Sequence, residues 1–346
     1  MKKVIIGITM GDPAGIGAEI VVKSLNDKRI YDECIPIVYG DYKAIKDAIL
    51  FCGLSLDINL IKSIDSALGK YGTIDLIDFG YLKNKNWEYK KISAECGDAA
   101  YNFIIDAIDA AKDKRIDAVV TGPINKESLH MAGHMYAGHT EIFADRTNTK
   151  SYAMMLTSPT LRVIHCTTHC SLSNAIKKIT KERVLEVIKL ANYSLQLLGI
   201  KNPRIAVAGL NPHSSENGLF GDEEAKQIIP AINEAKKLNI DVDGPEPPDT
   251  VFVKAIGGKY DIVVAMYHDQ GHIPLKLSGF KLDPLTNTYT SLSGVNTTIG
   301  LPIIRTSVDH GTAFGKAGEG RANEQSMKDS INMAIIMAKN WTKYDA

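Results

Sequence analysis

The chain lacks the features that define three specialised classes of protein. No apolar run approaches the roughly 20 residues that span a bilayer, and the run at Val4–Met10 stops at Gly11-Asp12-Pro13. We therefore expect a buried strand there, rather than a signal peptide or a membrane anchor. The five cysteines have no paired spacing, which argues against a disulfide framework and predicts a cytoplasmic location. Lys plus Arg equals Asp plus Glu, at 40 each, so we expect no nucleic-acid partner and no membrane surface.

The composition is that of an ordinary globular protein, and helix-like and strand-like segments alternate along the chain. Its 45% hydrophobic and 23% charged residues suit a folded core, and 346 residues suffice for two domains. Apolar residues recur every three or four positions over 99–112, 181–198 and 323–341, as in amphipathic helices. The alternation with short apolar runs predicts an α/β fold around a largely parallel sheet. The predicted strands are Val4–Thr9, Ile35–Tyr39, Ala118–Thr121, Ala153–Leu156, Leu161–His165, Ile205–Ala208 and Ile262–Met266.

Three of these strands lead into polar clusters that contain histidine. The clusters place His169, His213 and His268 shortly after the strand ends. Ligands in open α/β sheets bind beyond the carboxyl ends of strands, so these side chains can converge on one crevice. Three protein ligands leave a catalytic metal with open positions, and imidazole suits zinc, cobalt, nickel or iron better than calcium. The alternative for each histidine alone is a hydrogen-bonded residue at a strand end.

Two cysteines lie close to this first cluster and suggest a zinc knuckle, which we consider less fitting. If the backbone stays extended, His165 and His169 face one side of the strand and Cys166 and Cys170 face the other. All four side chains then cannot bind one ion. We expect the cysteines to be buried strand residues instead.

Other strand ends carry groups suited to an anionic substrate. Gly11–Gly17 (GDPAGIG) brings backbone N–H groups to the start of a helix, although its spacing matches no nucleotide-binding fingerprint and a tight structural turn is an equal alternative. Thr121–Lys126 and Gly138–Glu141 follow another strand and supply small polar groups, a lysine and His139. Such groups recognise oxygens and phosphate.

The carboxyl-terminal half adds acid–base and anion-binding candidates. Asp249 and Asp269 are candidates for a general base or for a partner that orients a metal ligand, with helix capping as the alternative for Asp249. Lys276, Asn296 and Arg305 lie in polar contexts, and Arg305 follows an apolar run. An arginine at a strand end with a nearby lysine can hold a phosphate or carboxylate.

Seven segments in order make the chain resemble the 4-hydroxythreonine-4-phosphate dehydrogenase family over nearly its full length. They are GDPAGIG at 11–17, GPINK at 122–126, GHTE at 138–141, TTH at 167–169, NPH at 211–213, YHDQG at 267–271 and GLPIIR at 300–305. The resemblance implies two α/β/α lobes with a cleft between them, similar to isocitrate and isopropylmalate dehydrogenases. It also implies a homodimer with shared active sites.

The resemblance assigns roles to individual residues. It implies that His169, His213 and His268 bind one divalent metal ion (Zn, Co or Mg), with His268 the candidate to reach across the dimer. It implies that His139 and Thr140 contact substrate and that Lys276, Asn296 and Arg305 complete the substrate site. Asp249, Asp269 and Lys276 remain equal candidates for the catalytic proton shuttle. The polar stretch at 281–293 is longer than is usual in the family, and we expect a loop there that acts as a lid, a dimer contact or a disordered insertion.

The resemblance implies NAD-dependent oxidative decarboxylation of a 4-phosphorylated 3-hydroxy acid. The stretch at 154–169 resembles the family branch that acts on 4-phospho-D-threonate or 4-phospho-D-erythronate more than the branch that oxidises 4-phosphooxy-L-threonine in the pyridoxal phosphate pathway. A metal-dependent hydrolase or lyase without a redox step is the alternative from another class, and a non-catalytic binding protein is a third. We expect lobes at 1–125 with 300–346 and at 126–299.

Overall fold

The computed structural model describes residues 3–284, 288–292 and 294–341 as two compact α/β units. One unit extends to Lys150 and resumes over Leu301–Lys339, and the other comprises Ser151–Gly300 with Asn340 and Trp341. The predicted α/β class is therefore confirmed. Within the described ranges no helix is both long and apolar enough to cross a membrane.

The first unit is built on a parallel sheet of strand order β3-β4-β2-β1-β5-β14. Its interior strands are almost wholly buried, as expected when helices cover both faces of a parallel sheet. The strands are β1 (Val4–Thr9), β2 (Cys34–Tyr39), β3 (Asp57–Leu60), β4 (Thr73–Ile77), β5 (Ala118–Thr121) and β14 (Ile304–Val308). The helices are α1 (Gly17–Leu25), α2 (Lys28–Glu33), α3 (Tyr42–Phe51), α4 (Ala94–Lys112), α5 (Lys126–Met131), α6 (His139–Arg146) and α12 (Gln325–Trp341), the last belonging to this unit as far as Lys339.

The second unit has a mixed sheet of order β13-β6-β7-β10-β8-β9. The pairs of β6 with β13 and β7 are antiparallel, and the pairs from β7 to β9 are parallel. The strands are β6 (Ala153–Thr157), β7 (Arg162–His165), β8 (Ile205–Ala208), β9 (Val242–Glu246), β10 (Ile262–Ala265) and β13 (Val295–Ile299). The helices are α7 (Leu172–Lys178), α8 (Lys181–Leu197), α9 (Ile229–Lys237), α10 (Val251–Ile256) and α11 (His268–Gly279).

Residues 126–150 belong to the first unit, whereas the sequence had suggested a boundary at 125. The reason is the close packing of α5 and α6 on α4. A Cβ atom at Gly97 would lie only 2.0 Å from the carbonyl oxygen of Ser128, so the glycine permits the two backbones to touch. Arg146 of α6 forms an ion pair with Asp109 of α4 at 2.5 Å. These contacts connect 126–150 to the first sheet and move the boundary to 150.

The polar stretch at 281–293 contributes to a strand pair rather than only to a loop. β11 (Phe280–Asp283) and β12 (Thr288–Leu292) are antiparallel, with an irregular register after Lys281. The remainder of the expected loop, at 285–287 and 293, lies outside the described residues.

Candidate functional site

The three strands that lead to His169, His213 and His268 lie side by side in the second unit. β10 pairs in parallel with β7 on one side and with β8 on the other. The segments that carry His169, His268 and His213 therefore all leave the sheet at the same edge. The carboxyl ends of parallel strands are where open α/β sheets bind ligands.

His169 and His268 come together at this edge. Their ring centroids are 5.9 Å apart, and both rings line a cavity of about 310 Å³ with Tyr267 and Asp269. His268 is hydrogen-bonded through Nδ1 to the Asp269 carboxylate at 2.6 Å. A carboxylate on one ring nitrogen fixes the tautomer and leaves the other nitrogen, Nε2, available as a ligand. We refer to His169 and His268 as the histidine pair.

His213 does not join the histidine pair within one chain. It is exposed in the Pro212–Gly218 segment and has a φ of 51°. The four residues that follow it also have positive φ. Across the described ranges, no three His, Cys, Asp or Glu side chains lie close enough to hold a metal ion. The histidine pair thus fits two positions of a transition-metal site, and a third ligand is needed to complete it.

Strand β7 ends at His165, four residues before His169. The extended geometry that the sequence suggested for 165–170 does not continue past the strand, and His165 and Cys166 are both buried. The ring of His165 contacts His272 of α11, with centroids 4.7 Å apart. Burial lowers the pKa of His165 to about 3 and that of His272 to about 4. Both imidazoles are therefore neutral at physiological pH.

The three acid–base candidates occupy exposed positions around α10 and α11. Asp249 precedes α10 and, with Tyr267 and Asp269, lines an open groove. The N-cap residue of α10 is Thr250, which makes no side-chain capping bond, so Asp249 does not have the N-cap position that was its structural alternative. Lys276 lies on α11 with its ammonium 5.3 Å from the ring centroid of Phe280. Asp269 is the one of the three that contacts a candidate metal ligand.

The first unit brings three of the predicted substrate-binding residues into one locality. Arg305 of β14 is only 2% exposed and donates from Nη2 to Oγ1 of Thr121 at 2.9 Å. Its guanidinium carbon lies 5.6 Å from the ring centroid of Phe143. His139 begins α6, directly before the buried Thr140. We refer to Thr121, His139, Phe143 and Arg305 as the arginine cluster.

Burial controls the charges of the arginine cluster. It lowers the pKa of Arg305 to about 9, partly opposed by the carboxylate of Glu141. It also holds the pKa of His139 well below its ordinary value, with the Arg305 charge acting in the same direction. His139 Nε2 is shielded from solvent and has no hydrogen-bond partner in the described part of the chain. The buried cation is suited to an anionic group, and the free Nε2 of a neutral imidazole can accept a hydrogen bond from a ligand hydroxyl.

Asp12 is a buried acid that the sequence reasoning passed over. Its backbone N–H donates to the carbonyl of Pro123 at 2.9 Å, which ties the loops after β1 and β5 together. Its side chain is fully buried and accepts from the N–H of Ala14. Burial raises the pKa of Asp12 to about 6. The signal that could have identified Asp12 as a site residue is its place in a glycine-containing loop directly after a strand.

Asn296 and Lys276 lie in the second unit. Asn296 is half-buried on β13, opposite Leu156 of β6 in the antiparallel register. Lys276 projects from α11 in the same unit. Their predicted role in substrate binding stays a prediction.

Comparison with known proteins identifies the family. The family model described as pyridoxal phosphate biosynthetic protein PdxA matches residues 32–334. A protein from Oceanobacillus iheyensis is 49% identical over 97% of this chain and 98% of its own. D-Threonate 4-phosphate dehydrogenase from Cupriavidus necator is 46% identical over 96% of this chain and 97% of its own.

Two solved structures are also similar to this chain over nearly its full length. The crystal structure of a 4-hydroxythreonine-4-phosphate dehydrogenase from Burkholderia phymatum is 46% identical, with a TM-score of 0.83 over 97% of this chain and 99% of that chain. The corresponding protein from Klebsiella pneumoniae is 42% identical, with a TM-score of 0.85 over 97% of this chain and 98% of that chain. The chain therefore belongs to the PdxA family of pyridoxal phosphate biosynthetic proteins.

Proposed function

We propose that this protein is an NAD-dependent and divalent-metal-dependent dehydrogenase that oxidises a 4-phosphorylated 3-hydroxy acid. The 3-hydroxyl loses a proton and its carbon transfers a hydride to NAD. The resulting β-keto acid then loses CO₂ and is protonated on carbon. With 4-phospho-D-threonate or 4-phospho-D-erythronate the product is dihydroxyacetone phosphate. The histidine pair at the ends of adjacent parallel strands is the observation that carries this proposal, and the name of the Cupriavidus relative supports the substrate.

The proposed metal ligands are His169, His213 and His268. A divalent ion bound there would favour ionisation of the substrate hydroxyl and stabilise the negative charge that develops during decarboxylation. Imidazole ligands favour zinc or cobalt over magnesium. Asp269 holds the Nδ1 side of the His268 ring. Its role in this scheme is therefore to orient a ligand.

The arginine cluster would bind the anionic end of the substrate. Arg305 supplies a fixed cation in a low-dielectric setting, where charge-assisted hydrogen bonds are strongest. Neutral His139 offers its unpartnered Nε2 as an acceptor for a substrate hydroxyl, and Thr140 adds a hydroxyl beside it. Lys276 and Asn296 are proposed as further substrate contacts.

Asp249 and Lys276 remain the candidates for the proton shuttle, because Asp269 is already bonded to His268. Asp249→Asn and Lys276→Met distinguish them. Loss of the shuttle lowers kcat and removes one limb of the pH–rate profile. Loss of a substrate contact raises KM instead.

We further propose a cytoplasmic homodimer whose subunits share metal ligands. Support comes from the incomplete ligand set of one chain and from the exposed apolar residues Val253, Ile273 and Leu277, which are 70%, 57% and 78% exposed on α10 and α11. Such a surface beside a candidate site is typical of an interface. All five cysteines are unpaired, which fits a reducing compartment.

Mixing inactive variants tests the sharing. If His268 crosses between subunits, mixed dimers of His169→Ala and His268→Ala regain about a quarter of wild-type activity, because random pairing restores one site in half of the dimers. If His213 crosses instead, His169→Ala mixed with His213→Ala regains that activity and the first mixture does not. Regain in neither mixture would overturn the shared site.

The activity itself is tested by absorbance at 340 nm with NAD and each of three substrates. We expect NADH from 4-phospho-D-threonate or 4-phospho-D-erythronate, and little from 4-phosphooxy-L-threonine. Preference for 4-phosphooxy-L-threonine would assign the protein to pyridoxal phosphate synthesis. Substrate loss without NADH would show a non-redox hydrolase or lyase. His213→Ala should lose bound metal and turnover together, and a metal-free but fully active variant would contradict the ligand assignment.

A further inference from the structure

Four imidazole rings form a continuous row in the second unit. The row begins at His169, passes through His268 and His272, and ends at His165 in the core. Successive ring centroids are 5.9 Å, 3.6 Å and 4.7 Å apart. The proposed function uses the first two rings as metal ligands and gives no role to the last two.

Burial of the polar imidazoles of His272 and His165 costs free energy. His165 is 1% exposed and His272 is 9% exposed, where leucine or methionine would bury more favourably. The Nε2 atom of His165 is buried without a hydrogen-bond partner among the residues described. His165 also requires Gly271, since a Cβ atom there would lie 2.3 Å from this nitrogen. Ordinary core packing does not account for this arrangement.

The geometry between His272 and His268 is more specific than packing requires. The two rings are nearly parallel, with 12° between their planes. In addition, Nδ1 of His272 lies 2.9 Å from the backbone carbonyl oxygen of His268, one helical turn earlier. Ring stacking restricts rotation of the His268 side chain, and the hydrogen bond holds its backbone. The carboxylate of Asp269 also holds the His268 ring, through a hydrogen bond at Nδ1.

We propose that His272, supported from behind by His165, is a positioning residue that holds the His268 ring in the orientation for metal binding. The inference rests on the proposed function, because it requires His268 to be a metal ligand. It holds whichever subunit supplies the other ligands. Groups that orient a metal ligand typically contribute 10- to 100-fold to metal affinity, and we expect about that contribution here.

Cobalt titration of the metal-free dimer tests this inference. The absorption bands of bound Co²⁺ report both affinity and ligand geometry. The variants are His272→Ala, which removes the ring, His272→Leu, which fills the space without a flat face, and His272→Phe, which keeps the stacked ring. His268→Ala tests the metal site itself. His130→Ala, an exposed histidine on α5, is the control for loss of a helical histidine.

We expect His272→Ala and His272→Leu to bind Co²⁺ about 10- to 100-fold more weakly with altered absorption bands. His272→Phe should recover most of the affinity and the wild-type bands, and His130→Ala should match wild type. Binding by His272→Leu within threefold of wild type, with unchanged bands, would overturn the positioning role even if His272→Ala fails to fold. Wild-type binding by His268→Ala would instead overturn the metal site of the proposed function.

Discussion

The arginine cluster and the histidine pair differ in burial and in completeness. The cluster is assembled within the first unit, where Arg305 is 2% exposed and bonded to Thr121. The histidine pair lies at an open edge, where the side chain of His268 is 38% exposed and one chain supplies no third donor within the described ranges. In the proposed function, folding of one chain is therefore enough to form the anion-binding cluster, whereas the proposed metal site needs a further ligand. Replacement of the buried Arg305 should therefore alter substrate binding without loss of stability, and replacement of a histidine of the pair should alter metal binding and turnover alone.

The largest effect expected is from His268→Ala. Loss of several kcal/mol of metal-derived stabilisation corresponds to a decrease in kcat of roughly a thousandfold. Because the ring is partly exposed, the melting temperature of the metal-free protein should stay within about 2 °C of wild type. Steady-state kinetics and calorimetry measure these two quantities. A large fall in melting temperature without metal would remove the contrast between the two regions.

Arg305 variants test the other side of the comparison. Arg305→Lys keeps the charge but loses the planar fork, and hydrogen bonds to charged groups are worth about 1.5–3 kcal/mol. We expect KM for the phosphorylated substrate to rise by about 10- to 100-fold.

Arg305→Met removes the buried cation and should leave the free energy of unfolding equal or higher, because the desolvation cost of the buried charge is removed. Urea denaturation measures this change. A loss of more than about 2 kcal/mol in Arg305→Met would show that the cation supports the fold rather than a ligand.

Asp12 makes the stability of the first unit depend on pH. Its pKa is about 6 in the folded protein against an ordinary value of 3.8, so the folded state binds the proton more tightly. This favourable contribution is complete below about pH 4 and is lost as the pH rises through 6. Asp12→Asn should therefore be more stable than wild type at pH 8 by up to about 3 kcal/mol. The gain should vanish at pH 4, and an equal gain at both pH values would exclude a protonation effect.

Gly271→Ala tests how closely the row of rings is packed. The new Cβ atom would lie 2.3 Å from Nε2 of His165 and 2.6 Å from Cγ1 of Val163. Overpacking of this kind costs about 1–3 kcal/mol, measurable by urea denaturation. Gly311→Ala is the matched control, because its Cβ atom would meet nothing within 4 Å. If both variants keep wild-type stability, the row of rings is looser than the structure indicates.

The sequence predicted strands that are continuous apolar runs better than strands that contain polar residues. All seven predicted strands are confirmed, because each is a short apolar run buried on both faces. The buried strands β4 and β14 were not predicted, because Asp75 interrupts the first and Arg305, Thr306 and Ser307 interrupt the second. β3 was not predicted, because it is an edge strand whose residues Asp57 and Leu60 are exposed. β9 contains Gly244 and Pro245, which normally indicate a turn. β13 contains Asn296 and two threonines in place of an apolar run.

The site was predictable in its residue types and less so in its contacts. Equivalent placement after adjacent strands led to His169 and His268, and the structure brings them together. The left-handed backbone that leaves His213 exposed has no signal in residue type, since serine, glutamate and asparagine follow it. The contact between His165 and His272 joins β7 to α11. A pairing so distant along the chain depends on sheet order, which periodicity does not give.

Removal of the metal ion tests most directly whether the histidine pair serves turnover while the arginine cluster serves substrate binding. The protein is treated with a chelator, and NADH formation and binding of 4-phospho-D-threonate are measured on the same sample before and after addition of Co²⁺. We predict that NADH formation stops in the chelated protein and returns with Co²⁺, while substrate binding changes by no more than about tenfold because the arginine cluster remains. NADH formation at an undiminished rate in the metal-free protein would contradict the account.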